Sequence, residues 1–299
     1  MRTGPATRAA LALAALAAAP GAAAGGCPPE LRAQAAATAA RIEAAWRAGR
    51  PLRFLAAREW REARCVRAAL VARLARRLGP VAGYKAALTT RALQARFGTD
   101  RPVLGVLLAG MLRAGPRAVV PLHTTARALF EPDLMVRVGD PAALEAARTR
   151  EEAALALDAL VPFVELPEVL YAHGLRPTAA AIAAINAGAA LGLTGPAVPL
   201  TGGAPERIAR IRGVRVRLYG GTPRGLLAEG SARALGDPLA VVLWLRDALA
   251  AEGLRPRRGD LLSLGSLLPP RPARAGRVLE ARYEIPGAPP AALEVAFRP

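Results

Sequence analysis

The 299 residues include one lysine, one asparagine, two histidines and two cysteines, and aromatic residues make up 4%. Each shortage excludes something. Cys27, Cys65, His123 and His173 lie too far apart in sequence to form the short ligand pairs of a zinc module. Both histidines therefore read as structural or surface residues. Asp and Glu total 23 against 41 basic residues, a formal charge of +18 that invites a nucleic-acid reading. Against that reading, every basic residue but Lys85 is an arginine, the arginines are scattered, and no DNA or RNA recognition motif occurs. Arginine in place of lysine throughout is the usage of a GC-rich genome and does not make a basic patch.

The same bias turns two survivors into signals. A lysine kept where all others are arginine suggests a site that needs a compact ammonium able to lose a proton. Lys85 is therefore the first candidate for chemistry. Asn186, in Ala-Ile-Asn-Ala-Gly-Ala, offers an amide that both donates and accepts, although a turn or helix cap explains a lone asparagine equally well.

With 53% hydrophobic residues, the chain can bury a sizeable core. Residues 1–26 read as an export signal, with Arg2 and Arg8 at a basic start, an apolar stretch from Ala9 to Ala19, and a small-residue site at Ala22–Ala24. That stretch is too short and too alanine-rich for a membrane span. Losing residues 1–24 takes the formal charge from +18 to +16. The expected destination is the periplasm, or the cytoplasm if the segment is retained. A lipoprotein modified at Cys27 is the secondary reading, because the usual leucine three residues earlier is missing. In an oxidising compartment Cys27 and Cys65 are the only possible pair; the alternative is two free thiols.

Residues 27–80 form a helical segment, with Leu31, Ile42 and Trp46, then Val66, Leu70, Leu74 and Leu78, at three- and four-residue steps. From 81 to 299 the texture becomes short apolar runs punctuated by Gly and Pro, the pattern of a single strand-rich domain. Within it the spacing predicts a helix over 142–160, a helix or two turns around Asn186, a hairpin over 202–226, a helix over 238–252 capped by Asp237, and two strands over 278–297. The fold class is α+β, with leading helices and a mixed, mostly antiparallel sheet system.

Residues 128–138, Ala-Leu-Phe-Glu-Pro-Asp-Leu-Met-Val-Arg-Val, carry two acids inside an apolar run. In a strand, Glu131 and Asp133 share one face while Phe130, Pro132, Leu134, Val136 and Val138 share the other. Carboxylates held so close repel and raise each other's pKa unless a cation sits between them. Glu165 interrupts a second apolar run. Three carboxylates at one sheet end suit Mg²⁺ or Mn²⁺, although a solvated strand face is the commoner fate of such a pair.

An ordered set of residues resembles the 2-keto-4-pentenoate hydratase branch of the fumarylacetoacetate hydrolase superfamily. It comprises Gly83-Tyr-Lys85, Leu88-Thr89, Gln94, Gly98-Thr-Asp100-Arg-Pro102, Gly105-Val-Leu, Glu131-Pro-Asp133, Pro162-Phe-Val-Glu165-Leu-Pro167, Asn186-Ala-Gly188, Asp237-Pro-Leu239 with Trp244-Leu245, Gly259-Asp260, Gly265-Ser266 and Pro286-Gly287. The resemblance implies that superfamily's sheet fold, a divalent metal, and a small 2-oxo or 2-enol acid substrate of the kind produced by aromatic-ring cleavage. Residue by residue, it puts Glu131, Asp133 and Glu165 on metal-ligand positions, Lys85 beside the substrate, and Asn186 and Ser266 in contact with it. Asp133 stands where Glu is common, and Val103 where the hydratases often carry a second acid.

The activity implied is hydration of a 2-hydroxy-2,4-dienoate to a 4-hydroxy-2-oxo acid. Decarboxylation or C–C hydrolysis of a related 2-oxo acid would use the same electron sink, and an exported keto-acid binding protein is the non-enzymatic alternative. The partners expected are the small acid and further copies of the chain, with no nucleic acid and, once the signal is removed, no membrane.

Overall fold

The computed structural model describes residues 27–122, 125 and 127–299. The export segment and His123 lie outside the described residues. Two helices lead, α1 (Pro29–Arg47) and α2 (Trp60–Leu78), and Gly49-Arg-Pro51 lies in the break between them. They bury Ala35, Ala39 and Ile42 against Val66, Leu70 and Leu74, the stripe that a 3.6-residue period aligns. A disulfide joins Cys27 to Cys65, with Cα atoms 5.2 Å apart, and fastens the start of α1 to α2. That bond uses the sulfur a lipid anchor would need, so the lipoprotein reading of Cys27 is set aside.

The sheet-forming part begins with β1 (Val81–Ala87), α3 (Arg91–Phe97), β2 (Val103–Leu108), β3 (Leu112–Ala114), β4 (Arg117–Pro121) and β5 (Leu129–Val138). Next come α4 (Pro141–Ala146), α5 (Arg150–Leu155) and β6 (Leu157–Leu166), then α6 (Ala179–Ala184), β7 (Leu191–Thr194) and β8 (Val198–Pro199). The chain continues with α7 (Ala204–Arg212), β9 (Arg215–Gly220), β10 (Gly225–Ser231) and α8 (Pro238–Ala250). It closes with β11 (Leu261–Ser266), β12 (Arg271–Pro272), β13 (Val278–Glu284) and β14 (Ala291–Arg298).

Among the described residues these strands make two sheets. The larger runs β2-β1-β11-β5-β6-β7-β3, with β12 added to β5 and β8 to β6; the smaller runs β10-β9-β13-β14-β4. Most neighbours are antiparallel, whereas β1/β11, β3/β7 and β4/β14 are parallel. The sheets meet where Phe130 packs edge-on against Phe297, ring centroids 6.5 Å apart, and where the Tyr283 hydroxyl donates to the Phe163 carbonyl. One hydrophobic core runs from the leading helices through both sheets. Among the described residues no helix is long and apolar enough to cross a membrane.

Two expectations fail locally. The helix expected over 142–160 is two short helices followed by a strand. Thr149 caps the second helix in a reciprocal pair with Glu152, which forces a restart after Ala147. From Leu157 the chain is β6, flanked by β5 on one edge and by β7 and β8 on the other, and buried on both faces. A strand with no wet face shows no alternation, so its Ala-Leu composition reads as helix. Likewise, the hairpin placed over 202–226 is α7 followed by β9, and the hairpin itself is β9–β10. The α8 helix forms as expected, with the Asp237 side chain accepting from the Leu239 N–H at 3.1 Å.

Candidate active site

Four adjacent strands bring the acidic residues and the lysine together. Glu131 and Asp133 lie on β5, Glu165 on β6 directly opposite Glu131, Ser263 on β11, and Lys85 on β1 opposite Ser263. Asp133 and Glu165 are almost wholly buried, as is Lys85 at 3% exposure; Glu131 is half-buried. The Lys85 ammonium donates to Glu165 Oε1 and, at 3.2 Å, to the Ala187 carbonyl. Lys85 is therefore no surface charge.

Asp133 is held from three sides. Its Oδ2 accepts from the Ser263 hydroxyl at 2.9 Å, and its Oδ1 accepts from the Gly265 N–H at 3.1 Å and from the Leu134 N–H. The Gly265 contact depends on an extra residue in β11, where the register against β5 shifts between Ser263 and Ser266. Gly265 has φ +112, and a Cβ there would meet Thr89 Oγ1 at 2.7 Å, so only glycine lets this amide face the acid.

Burial, reinforced by the nearby Glu165 charge, pushes the Glu131 carboxyl up to about 8. The same two causes raise Asp133 to about 7 against the pull of the Ser263 hydrogen bond. The Tyr283 phenol is pushed well up by its burial and then by the Asp133 charge. These shifts have a common origin: two buried carboxylates and a half-buried one share one lysine, so full ionisation leaves surplus negative charge largely out of water.

Among the described residues no three acid, histidine or cysteine side chains converge closely enough to hold a metal ion. Glu165 turns to Lys85, and Asp133 to Ser263 and Gly265. The donor set nevertheless fits a hard divalent cation, since it is all oxygen, mostly buried and short of positive charge.

The two expected substrate contacts are placed differently. Asn186 is 1% exposed, and both ends of its amide are spent on Val106: Oδ1 accepts from its N–H and Nδ2 donates to its carbonyl, each at 2.8 Å. It is a backbone clamp and does not reach for a ligand. The Ser266 hydroxyl points its proton at the Leu268 carbonyl, 2.7 Å away, and the Pro132 carbonyl, 3.1 Å away, so it ties its own loop to β5. His173 is exposed, as expected. Ser263 and Tyr283 were missed. Ser263 carried a usable signal, a polar residue interrupting Leu-Leu-Ser-Leu, whereas Tyr283 reaches the site from the other sheet and gives no local sign.

The α+β fold expected from the sequence, leading helices followed by a mixed and mostly antiparallel sheet system, is one already seen among solved structures. No family model matches the sequence, and no curated protein matches it. Solved structures do match. The chain is similar to 4-oxalocrotonate decarboxylase from Pseudomonas putida G7, at TM-score 0.76 and 21% identity over 89% of this chain and 98% of that one. That enzyme was solved complexed with magnesium and adipate, and with calcium and acetate. A fainter likeness is to Cg1458 with inhibitor, at TM-score 0.51 and 12% identity over 73% of this chain and 78% of that one. At such identities the likeness establishes the fold.

Proposed function

We propose that the protein is a divalent-metal-dependent enzyme of small 2-oxo and 2-enol acids, and that it hydrates a 2-hydroxy-2,4-dienoate. The observation that carries this reading is the trio of buried Asp133 and Glu165 and half-buried Glu131 with a single lysine as counter-charge. The magnesium and calcium complexes of the similar decarboxylase support the metal. Glu131, Asp133 and Glu165 would hold the ion, with Mg²⁺ or Mn²⁺ suited to their oxygens. Bound there, it supplies a Lewis acid for the negative charge developing on the substrate's C2 oxygen.

The chain's own groups do the rest. The Lys85 ammonium has two of its three donors engaged, leaving one N–H to orient the substrate carboxylate or pass a proton. Hydration requires a proton delivered to C5 as the 2-hydroxyl becomes a ketone, then water added at C4 with its second proton going to C3. Ser263 and the Gly265 amide keep Asp133 fixed through these changes of charge.

Decarboxylation of a vinylogous 2-oxo diacid is the second reading, and one residue favours it. Val103 occupies the position where hydratases often carry an acid, and it is fully buried at 0% exposure, so no carboxylate stands there to activate water. Loss of CO₂ needs the electron sink and no activated water. Purified protein with Mg²⁺ should consume 2-hydroxypenta-2,4-dienoate, read as loss of dienol absorbance, with 4-hydroxy-2-oxopentanoate as product. CO₂ release from an unsaturated 2-oxo diacid without dienoate turnover would select decarboxylation. Saturable binding of both acids with turnover of neither would make the protein a binder.

A further inference from the structure

Asn186, Ala187 and Gly188 have φ of +56°, +54° and +70°, three consecutive left-handed residues of which only the last is glycine. An alanine in that region is strained, and such strain persists only where surrounding contacts over-determine it. The contacts are visible. Val106 lies on β2, the last strand on its side of the sheet path, with no further strand beyond it among the described residues. The Asn186 side chain takes that place, pairing with Val106 through one acceptor and one donor as a neighbouring strand would. At the turn's other end the Glu168 N–H donates to the Gly188 carbonyl at 2.9 Å, three residues beyond Glu165.

The turn is therefore tied to the strand beside Lys85 and to the segment leaving Glu165. Between those anchors the Ala187 carbonyl accepts from Lys85 Nζ. Gly105, the register partner of Lys85, completes the fit: a Cβ there would stand 2.7 Å from Lys85 Cγ, 3.0 Å from Ala187 Cβ and 3.0 Å from the Asn186 carbonyl oxygen. Lysine stem, strand and turn are in mutual contact, and a shift in one moves the ammonium.

We propose that Asn186 is a positioning residue for Lys85, its clamp on Val106 holding the left-handed turn whose Ala187 carbonyl carries the lysine ammonium. The idea rests on Lys85 acting at the substrate, and the single lysine of the chain allows the two to be separated. Protein grown on lysine labelled with ¹³C and ¹⁵N at Cε and Nζ gives one side-chain signal, that of Lys85, whether or not the protein turns anything over.

Asn186→Gly keeps the left-handed backbone and deletes the clamp. In folded Asn186→Gly the Lys85 signal should move toward that of free lysine, and kcat should fall about a hundredfold with KM little changed, the loss typical of a misplaced group. Ala187→Gly, which keeps clamp and carbonyl and relieves the strain, should leave the signal in place. An unmoved Lys85 signal in folded Asn186→Gly would overturn the proposal. Should that variant not fold, labelling wild-type protein with ¹⁵N-asparagine reports the one side-chain amide: an Nδ2 proton protected like a sheet amide is expected, and rapid exchange of both protons would overturn the clamp. If Lys85→Arg keeps full turnover, the catalytic reading of Lys85 fails, and the signal in Asn186→Gly still decides the positioning.

Discussion

At the scale of single residues, Lys85 is the sharpest test of the site. Were it only a charge, arginine would replace it as it has at every other basic position of this chain. Its stem lies in tight contact with Gly105, and its ammonium sits between Glu165 and Ala187, so a guanidinium meets both overpacking and the wrong donor geometry. Lys85→Arg should fold with a modestly lowered Tm and lose about two orders of magnitude in kcat/KM. Retention of more than about half the wild-type kcat/KM by the folded variant would remove Lys85 from the chemistry.

Glu131 and Asp133 give a pH test. Unfolded, both release their protons near pH 4; folded and metal-free, they hold them to about 8 and about 7. Between those limits the folded state binds more protons than the unfolded one, so their contribution to stability falls as pH rises and levels off above about 8. The Tm of metal-free wild type should therefore drop relative to Glu131→Gln across this window, and Mg²⁺ should recover wild type only. A difference that stays flat or grows the other way would show that Glu131 is ionised in the folded protein. Glu131→Ala should likewise abolish stabilisation by Mg²⁺ or Mn²⁺; an unchanged response would place the metal elsewhere.

At the scale of elements, the β11 irregularity matters most, because it aims the Gly265 amide at Asp133. Gly265→Ala forces a side chain into a positive-φ position and onto Thr89, costing about 1–3 kcal/mol and loosening Asp133. Urea unfolding would measure that cost, and an unaltered midpoint would show that the strand relaxes around the methyl. What the sequence revealed at this level depended on whether an element kept a wet face or a cap. The leading helices and α8 were legible through helical spacing and Asp237, and the acids through their interruption of apolar runs. Strand β6 was hidden because both its faces are buried. Asn186 drew notice as the only asparagine, but the sequence did not disclose that its amide faces the chain's own backbone, since the edge of β2 exists only after the sheet has formed.

At the scale of the whole molecule, the crosslink and the basic, alanine-rich leader support one reading. We propose that the protein is exported and matures near Gly25; the disulfide is in keeping with an oxidising compartment. Mass spectrometry of native material should find residues 1–24 removed in a periplasmic fraction, and an intact leader in the cytoplasm would contradict it. Replacing both cysteines by serine frees a loop with a sequence separation of 38 and should cost about 4 kcal/mol on the loop-entropy account, read by denaturant unfolding. A midpoint matching wild type would mean the leading helices hold without the bond.

The crosslink also sets a load path. Residues 27–65 form a closed covalent ring, so tension applied to the chain ahead of Cys27 crosses the two sulfurs and enters the domain at Cys65, leaving α1 slack. The first element to bear force is α2, which packs on α6 and on the turn that carries Ala187. A tug on the mature N-terminus would thus be felt first by the wall behind the lysine.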